Sequence, residues 1–440
     1  MLDACGSSGD GGATTYTVGG TVTGLAGSGL VLRNSGGDSL TVTADGTFVF
    51  ATAVPNGTPY SVAVFAQPSA PTQHCTVTQG NDTVMSANVT TVVVTCLTVG
   101  RFAYVTTQAV SSNVGGNTIS AYAIDATTGA LTAVPGSPYA TGTLPTEAAV
   151  DADGKFAYVV SSYNNNVWAY AINANTGALT AIAGSPFAAG MSPYAVTVDP
   201  AGKFAYATNS AGGSVSAYGV DAATGALTAV AGSPFLAGQG SESIAVSPNG
   251  RFAYAVNADG TVSAYTIDGT SGALTPVVGS PFAAGTIPVS VIVEPSGGFA
   301  YVANLGFPAS ISAYTIDGTS GALTPVIGSP FASPTRISAI AVEPSGKFEY
   351  ATNYFDNTVT TYAIDATTGA LTAVPGSAFA TGTNPSSLAV DPSGQFVYVV
   401  NRGDNTVSAY TLNLTSGALT IIAGGPFAVG VQPSFIVVSK

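Results

Sequence analysis

The chain has 440 residues, only 7% of them charged, and its 9 basic residues stand against 22 acidic ones for a net charge of −13. An acidic chain this poor in Lys and Arg lacks the cations that nucleic-acid binding needs. No run of eighteen apolar residues occurs, so no transmembrane helix is expected.

Residues 1–14 form a Gly/Ser-rich tether. Within it, Leu2-Asp3-Ala4-Cys5-Gly6 resembles the end of a bacterial lipoprotein signal. On that reading Cys5 is lipidated, export is to the cell envelope, and the only membrane attachment is this lipid. The plainer alternative is an unstructured N-terminus with an incidental cysteine.

Residues 15–97 alternate apolar and polar positions in short runs separated by turns, which predicts an immunoglobulin-like β-sandwich. Strands are expected at 16–22, 60–65 and 90–96. Two alternating runs within 39–50, joined by Asp45-Gly46, predict a hairpin. Cys75 and Cys96 lie 21 positions apart on two predicted strands and form the expected disulfide, worth about 3 kcal/mol in the chain-entropy model. Such a bridge places the protein outside the cytoplasm. With His74 they are too few for a four-ligand zinc site, so no metal is expected.

Residues 98–440 contain seven copies of one unit. Phe102, Phe156, Phe204, Phe252, Phe299, Phe348 and Phe396 recur at spacings of 54, 48, 48, 47, 49 and 48, each followed two positions later by Tyr. A period of 40 to 50 residues with several short strands per copy predicts a seven-bladed β-propeller, so the whole chain is all-β. In copy four, strands are expected at 243–246, 252–256, 261–267 and 274–277. Pro276 and Pro281 place the fourth at the outer edge. Copy one lacks a first strand, and residues 433–438 match that column, so the C-terminal strand is expected to complete the first blade.

Tyr-Val-Ala-Asn at 301–304, Tyr-Val-Val-Asn at 398–401, Asn-Thr-Val-Ser-Ala-Tyr at 405–410 and the recurring Ser-Gly-Ala-Leu-Thr resemble the lactonase-type seven-bladed propellers. That family is similar to bacterial 6-phosphogluconolactonase and the carboxymuconate cyclases. The resemblance implies the propeller fold and, as one possibility, activity on a lactone.

In a propeller, the loops joining second to third strands share one face with those leading from each blade to the next. On the opposite face the turns are nearly uniform, and Asp125, Asp221, Asp268, Asp317 and Asp365 fill one column as turn formers. The first face varies between copies, which makes it the candidate site. Glu242, Glu147, Arg336 and Arg402 are the candidate catalytic residues there; Tyr194, Tyr354, Asp404 and Asp259 are candidate binding residues. Trp168 and Glu349 break their columns and are read as packing variation, and Asp151-Ala-Asp153-Gly154 is a short match to a calcium loop.

No histidine lies in the propeller, which excludes a Ser-His-Asp triad and a three-histidine zinc. The sequence therefore favours a non-catalytic exported monomer that binds a small molecule or surface partner on the variable face, without a cofactor. The alternative is a lactone hydrolase, with Glu242 or Glu147 as general base and Arg336 or Arg402 steadying the oxyanion.

Overall fold

The computed structural model describes residues 14–35, 37–68, 73–98, 101–108, 116–333 and 335–439. Cys5 and the rest of the tether up to residue 13 lie outside them, as do residues 109–115 of the long loop in copy one. The chain divides into one unit up to Gly100 and a second from Arg101.

The first unit is a sandwich of two four-stranded sheets. One is ordered Gly46–Val49, Val18–Thr23, Val89–Thr98, Gln73–Thr78; the other Ser39–Val42, Leu30–Asn34, Pro59–Ala66, Asn81–Thr83. Alternate residues of both sheets, among them Val18, Leu30, Leu32, Phe48, Tyr60, Val62, Val92 and Val94, share one buried core. Cys75 and Cys96 are bonded, but as direct partners on neighbouring strands of one sheet rather than across the two layers. The expected 39–50 hairpin does not form, because Ser39–Val42 and Gly46–Val49 go to different sheets. Asp45 makes the corner instead, its carboxylate accepting from the backbone N–H of Gly24 and Leu25 (2.9 and 2.6 Å).

The second unit is the seven-bladed propeller. Blade 2 shows the pattern: Pro145–Val150 innermost, then Phe156–Ser161, Asn166–Ile172 and Leu179–Ala181, all antiparallel. The two-residue strand Phe187–Ala188 pairs with the start of the third strand, extending the outer edge. Second strands are buried at nearly every position because neighbouring blades cover both faces. Pro276 sits on the outer edge as expected. Blade 1 is closed by Pro433–Val438, which pairs with Arg101–Thr107.

The repeated Phe-x-Tyr motif forms the seams. Each of the seven tyrosines donates its hydroxyl to a glycine carbonyl in the next blade, from Tyr104 to Gly177 (3.1 Å) round to Tyr398 and Gly129 (2.9 Å). The glycines have φ near +70°, and the phenylalanine rings occupy the space where a Cβ would sit. The column from Asp125 to Asp365 is turn chemistry: Asp125, for example, accepts from the N–H of Thr127 and Thr128. Asp151 is likewise engaged by the N–H groups of Lys155 and Phe156 (both 2.7 Å), not arranged for calcium. No cluster of three metal-ligating side chains occurs among the described residues.

Candidate functional site

The seven innermost strands neighbour one another around the centre of the disc. They are Pro433–Val438 of blade 1, Pro145–Val150, Pro193–Val198, Ser241–Val246, Pro288–Val293, Ile337–Val342 and Pro385–Val390 of blade 7. Each slips register against its second strand near its start, as between Pro145 and Ala148 or Ser241 and Ser243. Such bulges re-aim side chains out of the pleat. Here they accompany the exposure of Glu147, Tyr194, Glu242 and a set of serines to one cavity of about 430 Å³.

The residue before the innermost strand is left-handed in six blades, including Leu144 (φ 54°), Ile287 (φ 52°) and Gln432 (φ 49°). Side chains of this kind rarely adopt that conformation. The carbonyl at this position accepts the N–H of the residue that follows the same blade's second strand, as in Leu305 to Ile287 (2.8 Å), Tyr354 to Arg336 (3.0 Å) and Arg402 to Asn384 (3.1 Å). The two loop classes are thereby tied together, and Gln108, Leu305, Tyr354 and Arg402 come to line the cavity from equivalent positions.

Six of the eight residues expected from the sequence share this cavity: Glu147, Glu242, Arg336, Arg402, Tyr194 and Tyr354. Asp259 and Asp404 do not line it. Their carboxylates are spent on their own surroundings, Asp259 accepting from the Thr261 hydroxyl (2.5 Å) and Asp404 from the Thr383 N–H (2.6 Å). Trp168 lies elsewhere, stacked on Tyr170 with ring centroids 6.3 Å apart.

Charge is divided around the ring. Glu147 and Glu242 come from blades 2 and 4, with Tyr194 of blade 3 between them; blade 5 contributes Val289, Val291 and Leu305; Arg336 and Arg402 come from blades 6 and 7. Neither glutamate makes a hydrogen bond or ion pair with a described residue. Each contacts solvent only partly, and loss of water raises both carboxyls, that of Glu147 well above the ordinary range. Tyr194 is pushed up to about 12, by desolvation first and then by the charges of Glu242 and Glu147, with Arg402 opposing. These four groups therefore share one field.

Arg402 is held by neutral partners. Its Nε donates to Gln432 Oε1 (3.2 Å) and its Nη2 to Gln108 Oε1 (2.9 Å). Gln108 is in turn fixed by donating Nε2 to the Pro145 carbonyl (3.1 Å). The guanidinium is thus oriented without being neutralised. Arg336 instead stands over the Phe355 ring at 5.1 Å, and that ring packs edge-on against Tyr354 at 5.2 Å. The sequence reading missed Gln108, Gln432, Leu305 and Phe355. Gln108 follows Thr107 as Arg402 follows Asn401, so the column existed, but the extra residues of copy one broke the comparison.

The lactonase seven-bladed β-propeller family matches the chain over residues 60–191, 101–288, 233–329 and 322–432, overlapping stretches that span most of its length. The chain belongs to this family. Among solved structures, family-like propellers align over nearly their full length. A Bacteroides uniformis protein described as a candidate 6-phosphogluconolactonase is 20% identical, with a TM-score of 0.67 over 77% of this chain and 99% of its own. A Bacteroides fragilis counterpart gives 22% and 0.66, over 78% and 98%. The periplasmic gluconolactonase of Pseudomonas aeruginosa gives 20% and 0.64, over 78% and 99%. At these identities the likeness is one of fold. No functionally curated protein matches the chain.

Proposed function

We propose that this family member is a lactone hydrolase, opening a ring ester with water in the cavity lined by the innermost strands. One observation carries the proposal: two desolvated carboxylates without partners, Glu147 and Glu242, share a cavity with Arg402, a cation fixed by amides and paired with no acid. A raised carboxylate is a suitable general base near neutral pH. An oriented guanidinium is suited to the charge that develops on a carbonyl oxygen.

Glu147 takes a proton from water as the water oxygen bonds to the lactone carbonyl carbon. The carbonyl oxygen becomes an oxyanion facing Arg402. Collapse restores the double bond and breaks the ring C–O bond, and the proton on Glu147 passes to the departing ring oxygen. The product is a hydroxy acid, whose ionisation releases one proton. Tyr194, protonated throughout the neutral range, is a donor available to orient the ester. The non-catalytic alternative rests on the missing histidine, the low charge and the lipid-anchor resemblance; a desolvated carboxylate can fill the histidine's role as base. The family match favours the hydrolase.

Location outside the cytoplasm is proposed on the Cys75–Cys96 bridge, with Cys5 as the lipid-bearing residue, a monomeric state and no cofactor. The test of the activity is acid release, followed by pH-stat, from a panel of aromatic and sugar lactones. Silence of the folded protein across the panel overturns it; turnover lost in Glu147→Gln supports it.

A further inference from the structure

Resting on the hydrolase reading above, we infer that the ring ester carries an aromatic or alkyl substituent packed on the apolar sector of blades 5 and 6, in place of a phosphate or a chain of hydroxyls. What the cavity leaves free decides this. Its serines and threonine look suited to a sugar, yet several of their hydroxyls are committed to the frame. Thr146 donates to the Tyr194 carbonyl (2.5 Å), Ser338 to that of Pro385 (2.6 Å), Ser386 to that of Ser434 (3.2 Å) and Ser434 to that of Pro145 (3.2 Å). Each of these bonds joins the innermost strands of adjacent blades. A hydroxyl has one proton to donate, so without loosening the ring these four can meet a polyol only as acceptors.

A phosphate is poorly served as well. Arg336 stands over Phe355, which leaves one guanidinium, that of Arg402, to balance a dianionic phosphate. Glu147 and Glu242 face the same space and repel an anion.

The apolar sector, by contrast, has no partner. Val289, Leu305 and Phe355 line the cavity. Ile287 and Phe307, in the two loops that adjoin Leu305 in sequence or by hydrogen bond, are 45% and 94% exposed, and the Leu305 N–H bonds to the Ile287 carbonyl. Exposed apolar side chains beside a concave site mark ligand contact. A volume of about 430 Å³ exceeds the needs of a bare five- or six-membered ring and leaves room for a substituent.

The experiment compares initial rates of the full chain on dihydrocoumarin and glucono-δ-lactone by pH-stat. Binding of 2-tetralone, which keeps the fused rings and the carbonyl but has no ester bond, is measured by calorimetry. The expected kcat/KM for dihydrocoumarin is about tenfold or more above that for gluconolactone. Leu305→Ser and Phe355→Ala, each verified as folded by its melting curve, lower the first rate about tenfold, lower the second by much less and weaken 2-tetralone binding. Gluconolactone turned over as well as dihydrocoumarin, or both rates falling equally in the variants, overturns the inference while keeping the hydrolase. Binding of 2-tetralone that depends on Leu305, with no lactone cleaved, supports apolar recognition and sinks the hydrolase. Failure of 2-tetralone to bind overturns the inference whatever is hydrolysed.

Discussion

The Arg402 guanidinium donates through Nη2 to the Gln108 side-chain carbonyl at 2.9 Å, joining a loop of blade 7 to one of blade 1 where the ring closes. A cation held by amides keeps its charge for a ligand, whereas one held by a carboxylate would be largely neutralised. Gln108 is therefore a positioning residue for Arg402.

Two substitutions separate charge from orientation. Arg402→Ala removes the group that faces the oxyanion and is expected to lower kcat by about 10²–10³. Gln108→Ala leaves the charge and loosens it, with an expected loss of about tenfold. Restoration of most of that loss in Gln108→Glu would contradict the picture, since a carboxylate there would neutralise the guanidinium. Single-turnover acid release on the best lactone of the panel reads each effect.

The pH dependence of kcat/KM follows from Glu147. A general base works when deprotonated, and burial raises this carboxyl well above its ordinary 4.5. Activity is thus expected to rise with pH through an acid limb that lies above the ordinary carboxylate range. Glu147→Gln should abolish both the rate and the limb, while Glu242→Gln should leave the limb in place, because loss of water rather than a neighbouring charge raises Glu147. An acid limb unchanged in both variants would move the base elsewhere.

The propeller was legible because its signals are periodic and local. A Phe-x-Tyr pair recurring every 47 to 54 residues has one structural cause, the seam contact repeated seven times. Cavity-lining residues were legible where columns made mostly of Ser, Ala, Thr or Val gave way to Glu147 or Glu242. Asp259 and Asp404 lie outside the cavity for a physical reason: a loop carboxylate satisfies its nearest backbone or hydroxyl donor before it faces a cavity. Apolar recognition at Leu305 and Phe355 was hidden because an apolar residue in a loop carries no chemical label. The Asp45-Gly46 corner misled because the same dipeptide serves a hairpin and a crossing between layers.

Glu349 is fully buried, and neither carboxylate oxygen has a hydrogen-bond partner. The same position is Ala103, Ala157, Ala205, Ala253, Ala300 or Val397 in the other blades. Glu349→Val, which fills part of the volume without the polar group, is expected to stabilise the propeller by about 1–3 kcal/mol. The sign of the pH effect is set by burial, which raises this carboxyl well above 4.5. Folded protein keeps the proton where unfolded chain has lost it, so this contribution is complete at pH values below about 4.5 and is lost as pH rises through the folded value. The gain from Glu349→Val should therefore be smaller at pH 4 than at pH 7 in paired melting curves. A gain independent of pH would mean the carboxyl is not held neutral.

The closure of the ring can be weighed at one contact. Tyr398 reaches across 269 positions to the Gly129 carbonyl at 2.9 Å, and both groups are shielded by the Phe396 ring. Tyr398→Phe leaves a buried carbonyl without its donor, at an expected cost of about 1–3 kcal/mol. Gly129→Ala should cost more. Its φ of +72° disfavours any side chain, and the new Cβ would fall 2.5 Å from Phe396 Cδ1 and 2.6 Å from Ile422 Cδ1, so the seam must open to admit it. The equivalent pair Tyr158 and Gly225 lies 67 positions apart with the same geometry (3.0 Å). Tyr158→Phe should lose similar equilibrium stability, because the local contacts removed are alike. Tyr398→Phe should differ in also increasing proteolytic cleavage near Pro433–Val438, the strand that closes blade 1. Equal protease sensitivity in the two variants would show that the closing seam is no weaker than the others.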